Sequence, residues 1–202
     1  MAIIIRSTDE TLDGTIATYS GATIKPLDPD PNAIHLEDIA HALSNSCRFT
    51  GHVKEFYSVA QHSVLAARLI LDKYDNDTTL AKVALLHDAS EAYLSDIARP
   101  IKQVPEFGTV YKKFEAKLEE AIAMRFDTEY PMPDEVKWAD NVLLRTEQRD
   151  LMPAVFRHAG EDYLDETITG WLPNKAEAEF LKLFNELEGI ETEPLNDGSY
   201  TF

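Results

Sequence analysis

Basic residues are scarce in this chain. Nineteen Lys and Arg stand against 36 Asp and Glu over 202 residues, a formal net charge of -17. A protein that grips nucleic acid through its phosphates needs a basic face, so nucleic acid is excluded as the main partner. A small phosphorylated ligand stays admissible, because it needs only a local basic pocket or a metal. Cysteine is nearly absent as well: Cys47 is the one present, so no disulfide can form within the chain, and a reducing compartment is mildly favoured. Long apolar runs are missing. None approaches the roughly 18 to 20 residues of a membrane span, and the three isoleucines of MAIIIRSTDE are too few for a secretory signal core. The expectation is a soluble cytoplasmic protein with no membrane partner; a viral chain made in a host cell would read the same way.

What is present reads as helix. A composition of 44% hydrophobic and 27% charged residues suits one domain with a sizeable core, and there is no internal repeat or low-complexity tract. Residues 1–35 are turn-rich, and TIATYSGATIKPL places β-branched residues around a Ser-Gly pair, the signal of a small hairpin. Residues 36–188 carry helical periodicity. LEDIAHALSNSCRF spaces Ile39, Ala42, Leu43 and Cys47 along one face, with Glu37 and Asp38 suited to a first turn. SVAQHSVLAARLILDKY starts at Ser58, a candidate N-cap with Gln61 as its capping-box partner. DTTLAKVALLHDASEAYL is capped by Asp77 or Thr78. PEFGTVYKKFEAKLEEAIAMRF follows Pro105, DEVKWADNVLLRTEQRDLM runs from Pro133 to Pro153, and NKAEAEFLKLFNELEG ends at Gly189. The fold class is therefore all-α, a bundle of six or seven helices with a short N-terminal hairpin or loop region and a turn-rich tail over 189–202.

Four residues stand out against these helices. His87 and Asp88 follow the apolar run Val83 to Leu86 directly. Adjacent helical residues point about 100° apart, so this pair can converge on one ion only from a helix edge or end. His62 lies with Val59, Leu65 and Ala66 on an apolar face, where a satisfied core histidine is the commoner outcome. Asp140 is surrounded by Val136, Trp138, Ala139, Val142, Leu143 and Leu144, and a carboxylate buried there needs a partner or a metal. Imidazole and carboxylate together suit a borderline divalent ion. Glu91 lies one turn beyond His87 and Asp88, where a carboxylate can exchange a proton near a bound ion. Each of these residues also has an ordinary reading as core histidine, polar helix end or surface acid.

The set His62, His87-Asp88, Asp140, in that order on separate helices, resembles the HD-domain metal-dependent phosphohydrolases. VAQHSV, LLHDASEAYL and KWADNVLLRTE match the metal-binding segments in sequence, and the resemblance covers roughly residues 36–155. LEDIAHALSNSCRFTGHVKEFYSVAQHS is similar to the segment before the first metal histidine in the nucleotidase-like branch, and LSDIARPIK resembles the segment after the HD helix in viral dATP triphosphohydrolases. The resemblance implies metal ligation by His62, His87, Asp88 and Asp140. It implies phosphate contact at Arg48, base stacking at Phe49, and a nucleotide pocket lined by Pro100 and Lys102. Glu91 and Asp96 match acidic positions used for catalysis or sugar recognition. Thr50 and Gly51 are small where the adenine-selective enzymes carry a bulkier apolar residue, so the base stays unassigned.

The implied chemistry is hydrolysis of a deoxynucleoside 5′-phosphate. The first expectation is a dNTP triphosphohydrolase releasing deoxynucleoside and triphosphate, with a 5′-deoxynucleotidase acting on monophosphates as the alternative and a non-catalytic nucleotide-binding module below it. A two-metal oxygenase would need further ligands around the HD pair, and His158 has no partner motif. The cofactor is a divalent ion, with Mn, Co, Fe, Mg and Zn open. A closed tetrahedral zinc site is less apt, since cysteine ligands are missing. The resemblance also implies a homo-oligomer, dimer or higher.

Overall fold

A computed structural model describes residues 14–153 and 162–190. The stretch MAIIIRSTDE, His158, and all but the first two residues of the 189–202 tail lie outside the described residues. Within them the architecture is all-α with one small hairpin, as the periodicity predicts. Strands β1 (Ile16–Ala17) and β2 (Thr23–Ile24) pair antiparallel with Ile16 opposite Ile24. Gly21 of the intervening Ser-Gly pair takes φ +85°, a backbone state that glycine adopts without steric cost. The hairpin is fastened to α1 (Leu36–Asn45) by Asp38. Its buried carboxylate accepts from the Ser20 backbone N–H at 2.6 Å and from Ser20 Oγ at 2.9 Å. Asp38 is thus more than a first-turn acid.

The remaining helices are α2 (Val59–Lys73), α3 (Thr78–Leu86), the single turns α4 (Glu91–Leu94) and α5 (Arg99–Lys102), α6 (Pro105–Phe126), α7 (Asp134–Leu151) and α8 (Pro173–Leu187). Helix α2 is the axis, packing on α1, α3, α7 and α8. One buried apolar cluster runs from Ile24 and Ile39 through Val64, Leu85 and Leu143 to Phe180 and Phe184. No helix among the described residues is long and apolar enough to cross a membrane.

Local chemistry sets the helix ends. Ser58 Oγ accepts from the Gln61 N–H at 3.1 Å and so caps α2. The reciprocal half of the expected capping box is not made. The Gln61 side chain instead donates to Thr169 O at 2.7 Å and accepts from Trp171 N–H at 2.7 Å, clasping the segment that leads into α8. Asp77 caps α3 through the Leu80 N–H. Gly189 follows the end of α8 at φ +68°.

Two boundaries differ from the periodicity. Helix α1 stops at Asn45, so Cys47 is not on its face. Residues 46–48 pair instead with 57–59: Val59 N–H donates to Ser46 O at 3.0 Å and Arg48 N–H to Tyr57 O at 2.9 Å. These bonds take the groups a continuing helix would need. Helix α3 stops at Leu86, and residues 87–90 form a tighter turn in which Ala89 N–H donates to Leu86 O and Glu91 N–H to Asp88 O. His87 and Asp88 therefore occupy a helix end, the one place where neighbouring side chains can converge.

The cap at Ser58 anchors the helix that carries His62. Ser58→Ala is expected to cost about 1 kcal/mol, the usual loss for an N-cap hydroxyl, read as a lowered midpoint in urea unfolding with an unchanged slope.

Candidate metal centre and adjoining cleft

Helices α2 and α7 and the end of α3 bring three side chains to one point. His62 and His87 and a carboxylate oxygen of Asp140 offer ligand atoms that all lie within 4.8 Å of one another, a group able to hold a metal ion. His62 Nε2 is 3.2 Å from His87 Nε2 and 3.3 Å from Asp140 Oδ1. Asp88 is adjacent: its Oδ2 lies 3.3 Å from His87 Nε2 and 3.8 Å from His62 Nε2, and it accepts from Arg48 Nη1 at 3.1 Å. Asp88 therefore faces the cluster while also paired with Arg48.

Both imidazoles are oriented by acceptors behind them. His87 Nδ1 lies 2.7 Å from the Ala84 carbonyl, which can only accept. His62 Nδ1 lies 2.5 Å from Glu147 Oε1. Arg48 and His62 together outweigh burial and hold the Glu147 carboxyl below its ordinary range, so it too is an acceptor. Each histidine then carries its proton on Nδ1 and turns the Nε2 lone pair inward. Two lone pairs facing each other across 3.2 Å are reconciled by a proton on one ring or by a metal ion in its place. Two imidazoles plus carboxylate oxygen, each imidazole braced by a second group, is a donor set that fits a divalent transition metal.

Without an ion, the carboxylates of the cluster favour a proton on His87. Burial opposes charge on His87, but Asp88, by charge and hydrogen bond, and Asp140 outweigh it and hold the imidazole up at about 9. Burial raises Asp140, yet the hydrogen bond and charge of His62 with the charge of His87 bring it down to about 2. Glu91 goes the other way. Burial first, then the charges of Asp88 and Asp96, push it up to about 9. Its Oε2 is buried with no hydrogen-bond partner among the described residues. Burial and the charge of Asp88 also raise Asp96, which Arg48 opposes.

Beside the cluster lies a cleft of about 940 Å³, within the range of small-molecule sites. It reaches the cluster through Asp88 and Asp140, and Arg48, Phe49, Glu91, Asp96, Pro100 and Lys102 also line it. The structure thus places the ten residues singled out in the sequence at one locality. Arg48 is not a solvated helix-end cation. It is buried, with Nε 3.2 Å from Glu147 Oε2 and Nη1 bonded to Asp88. Lys102 is not a solvated loop lysine. It belongs to α5 and lies between Glu91 and Glu115, 3.5 and 2.8 Å from their Oε1 atoms.

Three participants were not read from the sequence. Glu147 is fully buried and accepts from Tyr57 Oη at 2.8 Å as well as from Arg48 and His62. It follows Asp140 by seven residues, two helical turns, and therefore shares its face; that spacing was the available signal. Arg99 Nη2 is 3.5 Å from Asp140 Oδ2. Glu115 comes from α6, 13 residues beyond Lys102, and nothing local marks it.

The fold and the cluster together define an all-α protein with a candidate two-histidine, carboxylate metal centre. No protein-family model matches the chain. The chain is 41% identical over 137 residues to the Escherichia coli K12 protein YfdR, an uncharacterized protein, covering 67% of this chain and 71% of that one. It is 34% identical over 139 residues to the uncharacterized protein RCAP_rcc00048 of Rhodobacter capsulatus, covering 65% of this chain and 70% of that one. The chain belongs to the family of YfdR.

Metal content after loading with Mn²⁺ and desalting checks the cluster. His87→Ala and Asp140→Ala are expected to lose the bound ion, and Glu147→Gln, which leaves the ligands in place, to weaken it by about 10- to 100-fold. Undiminished metal in His87→Ala would remove the centre. A second expectation concerns Glu119, whose carboxyl is raised to about 7 by burial and by the charges of Glu115 and Asp88. Between the ordinary carboxylate range and about 7 the folded chain holds a proton that the unfolded chain releases, so the metal-free protein loses stability as pH rises through that window. Glu119→Gln removes this loss. Its stabilising effect in urea unfolding should be small at pH 4.5 and grow toward pH 8.

Proposed function

We propose that this chain is a metal-dependent phosphohydrolase of the HD-domain kind, acting on a deoxynucleoside 5′-phosphate. A deoxynucleoside triphosphate, split into deoxynucleoside and triphosphate, is the first candidate. The supporting observation is the charge of the cleft. Arg48, Arg99, Lys102 and Arg145 line it against Asp88, Glu91, Asp96 and Asp140. Four basic residues match four acidic ones there, and Glu91, which keeps its proton, adds no charge, on a chain whose net charge is -17. A bound divalent ion adds to that positive side, which suits a polyanion and gives an acidic protein a reason to gather basic groups in one place.

His62, His87 and Asp140, with Asp88 adjacent, would hold the ion, which when bound supplies Lewis-acid charge at phosphorus and acidifies water. The chain's own groups do the rest. Arg48 is bonded through Nε and Nη1, which fixes its guanidinium plane and leaves the Nη2 end to meet a phosphate oxygen. Lys102 and Arg99 add charge from α5, and cations on more than one element suit more than one phosphate group. Glu91 is the group that holds or gives up a proton at the leaving oxygen. Asp96, half-buried in the cleft wall, is an acceptor for a sugar hydroxyl. Phe49 and Pro100 supply apolar wall for a base.

One observation favours the monophosphate alternative, a 5′-deoxynucleotidase. Lys102 is already engaged by Glu91 and Glu115, which leaves Arg48 as the buried cation beside the cluster. Product analysis separates the two. Each deoxy- and ribonucleotide mono-, di- and triphosphate is incubated with Mn²⁺, Co²⁺ or Mg²⁺, and the product is identified as phosphate or triphosphate. Triphosphate release from a dNTP is expected, and phosphate from dNMPs alone would establish the alternative. Glu91→Gln should lower kcat by about 100-fold or more while keeping metal and nucleotide bound. Equal slow turnover in wild type and Glu91→Gln would leave a nucleotide-binding module. Absence of hydrolysis with every pairing would end the phosphohydrolase reading.

A further inference from the structure

Helix α6 contributes nothing to the His/Asp cluster, yet its first half holds Lys102 from three directions. Glu115 Oε1 accepts from the Lys102 ammonium at 2.8 Å, shorter than the 3.5 Å to Glu91. The Tyr111 ring lies 4.9 Å from the same ammonium, a cation–π distance, and Tyr111 Oη is tied to Ser95 O at 3.1 Å. Beneath them Gly108 is buried against the backbone of α5, and a methyl group there would overlap the Lys102 carbonyl oxygen. Gly108 N–H also donates to Val104 O at 2.6 Å. Gly108 thus brings α6 close enough for its next turns to reach the lysine side chain.

A lysine stem has four rotatable carbons and a compact charge that any nearby carboxylate can capture. Left with Glu91 alone, Lys102 would close onto it, draw off its proton and pair with the carboxylate. Glu115 pulls it from the other side, so one ammonium is shared between the Glu115 carboxylate and Glu91 Oε1 and held at a fixed place in the cleft. The bond to Glu115 is the short one and the contact to Glu91 the long one; a phosphate oxygen that takes the place of the long contact meets an ammonium already ordered.

We propose that Glu115 is a positioning residue that holds Lys102 in the cleft and sets phosphate affinity through it. The inference rests on the phosphohydrolase reading for its ligand, and on geometry alone for the Lys102 seat. The test uses the full chain with Mn²⁺, dATP and inorganic triphosphate as probes. In Glu115→Gln, KM for dATP and the Kd for triphosphate are expected to rise about tenfold, the size of one charge-assisted hydrogen bond. Mn²⁺ content should be unchanged and kcat within about twofold of wild type. In a Lys102→Met background the same substitution should add nothing, because its effect passes through the lysine. Independently of any nucleotide, acetylation of Lys102 by acetic anhydride, followed by mass spectrometry, should be several times faster in Glu115→Gln. An undiminished Glu115→Gln effect in the Lys102→Met background, or an unchanged acetylation rate, overturns the proposal. Faster acetylation in a protein that binds neither dATP nor triphosphate overturns the phosphate role alone, with the phosphohydrolase reading, and leaves the Glu115–Lys102 seat standing.

Discussion

The carboxylate of Glu147 is the interaction on which the site depends. It is fully buried on α7 and has three partners: His62 on α2, Tyr57 at the start of the α2 segment, and Arg48 in the 3₁₀ turn Arg48–Gly51. A buried carboxylate without partners is strongly unfavourable, and removing one member of such a pair costs about 3–5 kcal/mol. Apolar groups of similar volume in place of the whole buried set would serve folding as well or better. What the carboxylate does that an apolar group cannot is fix two functional side chains at once. One oxygen turns the His62 ring so that Nε2 faces the cluster, while the other holds Arg48 so that its opposite edge meets Asp88. His62 of the candidate metal centre and Arg48 of the cleft are thereby set by one group.

A consequence follows for charge. Because Glu147 and the Ala84 carbonyl both claim imidazole N–H protons, the two Nε2 atoms are left as facing acceptors beside Asp140 and Asp88. Without an ion, the raised His87 answers with a proton. An ion held there would displace that proton, so metal loading would release acid and strengthen with pH. The same concentration of negative charge reaches Glu91 and Asp96, which burial and Asp88 push upward. A single arrangement therefore produces strongly ionised ligands and, a turn away, a carboxyl that keeps its proton.

Much of this was legible in the sequence, for identifiable reasons. Periodicity located α2, α6, α7 and α8 because each buries one apolar stripe, and Pro105, Pro133 and Pro153 mark their limits. The pair His87-Asp88 after four apolar residues was conspicuous because a core rejects such groups. The boundaries at Asn45 and Leu86 were not legible. They are set by pairing of residues 46–48 with 57–59 and by the tight turn at 87–90, which depend on tertiary partners that periodicity does not register. The second partner of Gln61 was hidden for the same reason: Thr169 and Trp171 lie more than a hundred residues away. Glu147 was visible as a spacing but not as a role, since a glutamate on a helix reads as surface until its three partners are known. Glu115 was not visible at all.

The turn after α1 shows what that geometry requires of the backbone. Arg48 must point inward to Glu147 and Asp88, while Phe49 must line the same cleft. In a strand, neighbours face opposite sides, and in a right-handed helix they diverge by about 100°. The chain takes neither course. Phe49 and Thr50 adopt φ values of 56° and 54°, and Gly51 follows at 78°. A positive φ is uncommon for any residue but glycine, and a β-branched threonine there is a true outlier that persists only where its surroundings over-determine it. The surroundings here are the backbone bond from Arg48 to Tyr57, the buried arginine, and the Glu147 carboxylate that holds it. The left-handed turn is thus the counterpart of the buried ion pair behind it: with Arg48 held inward, the residues after it take the conformation that keeps Phe49 and Thr50 on the cleft.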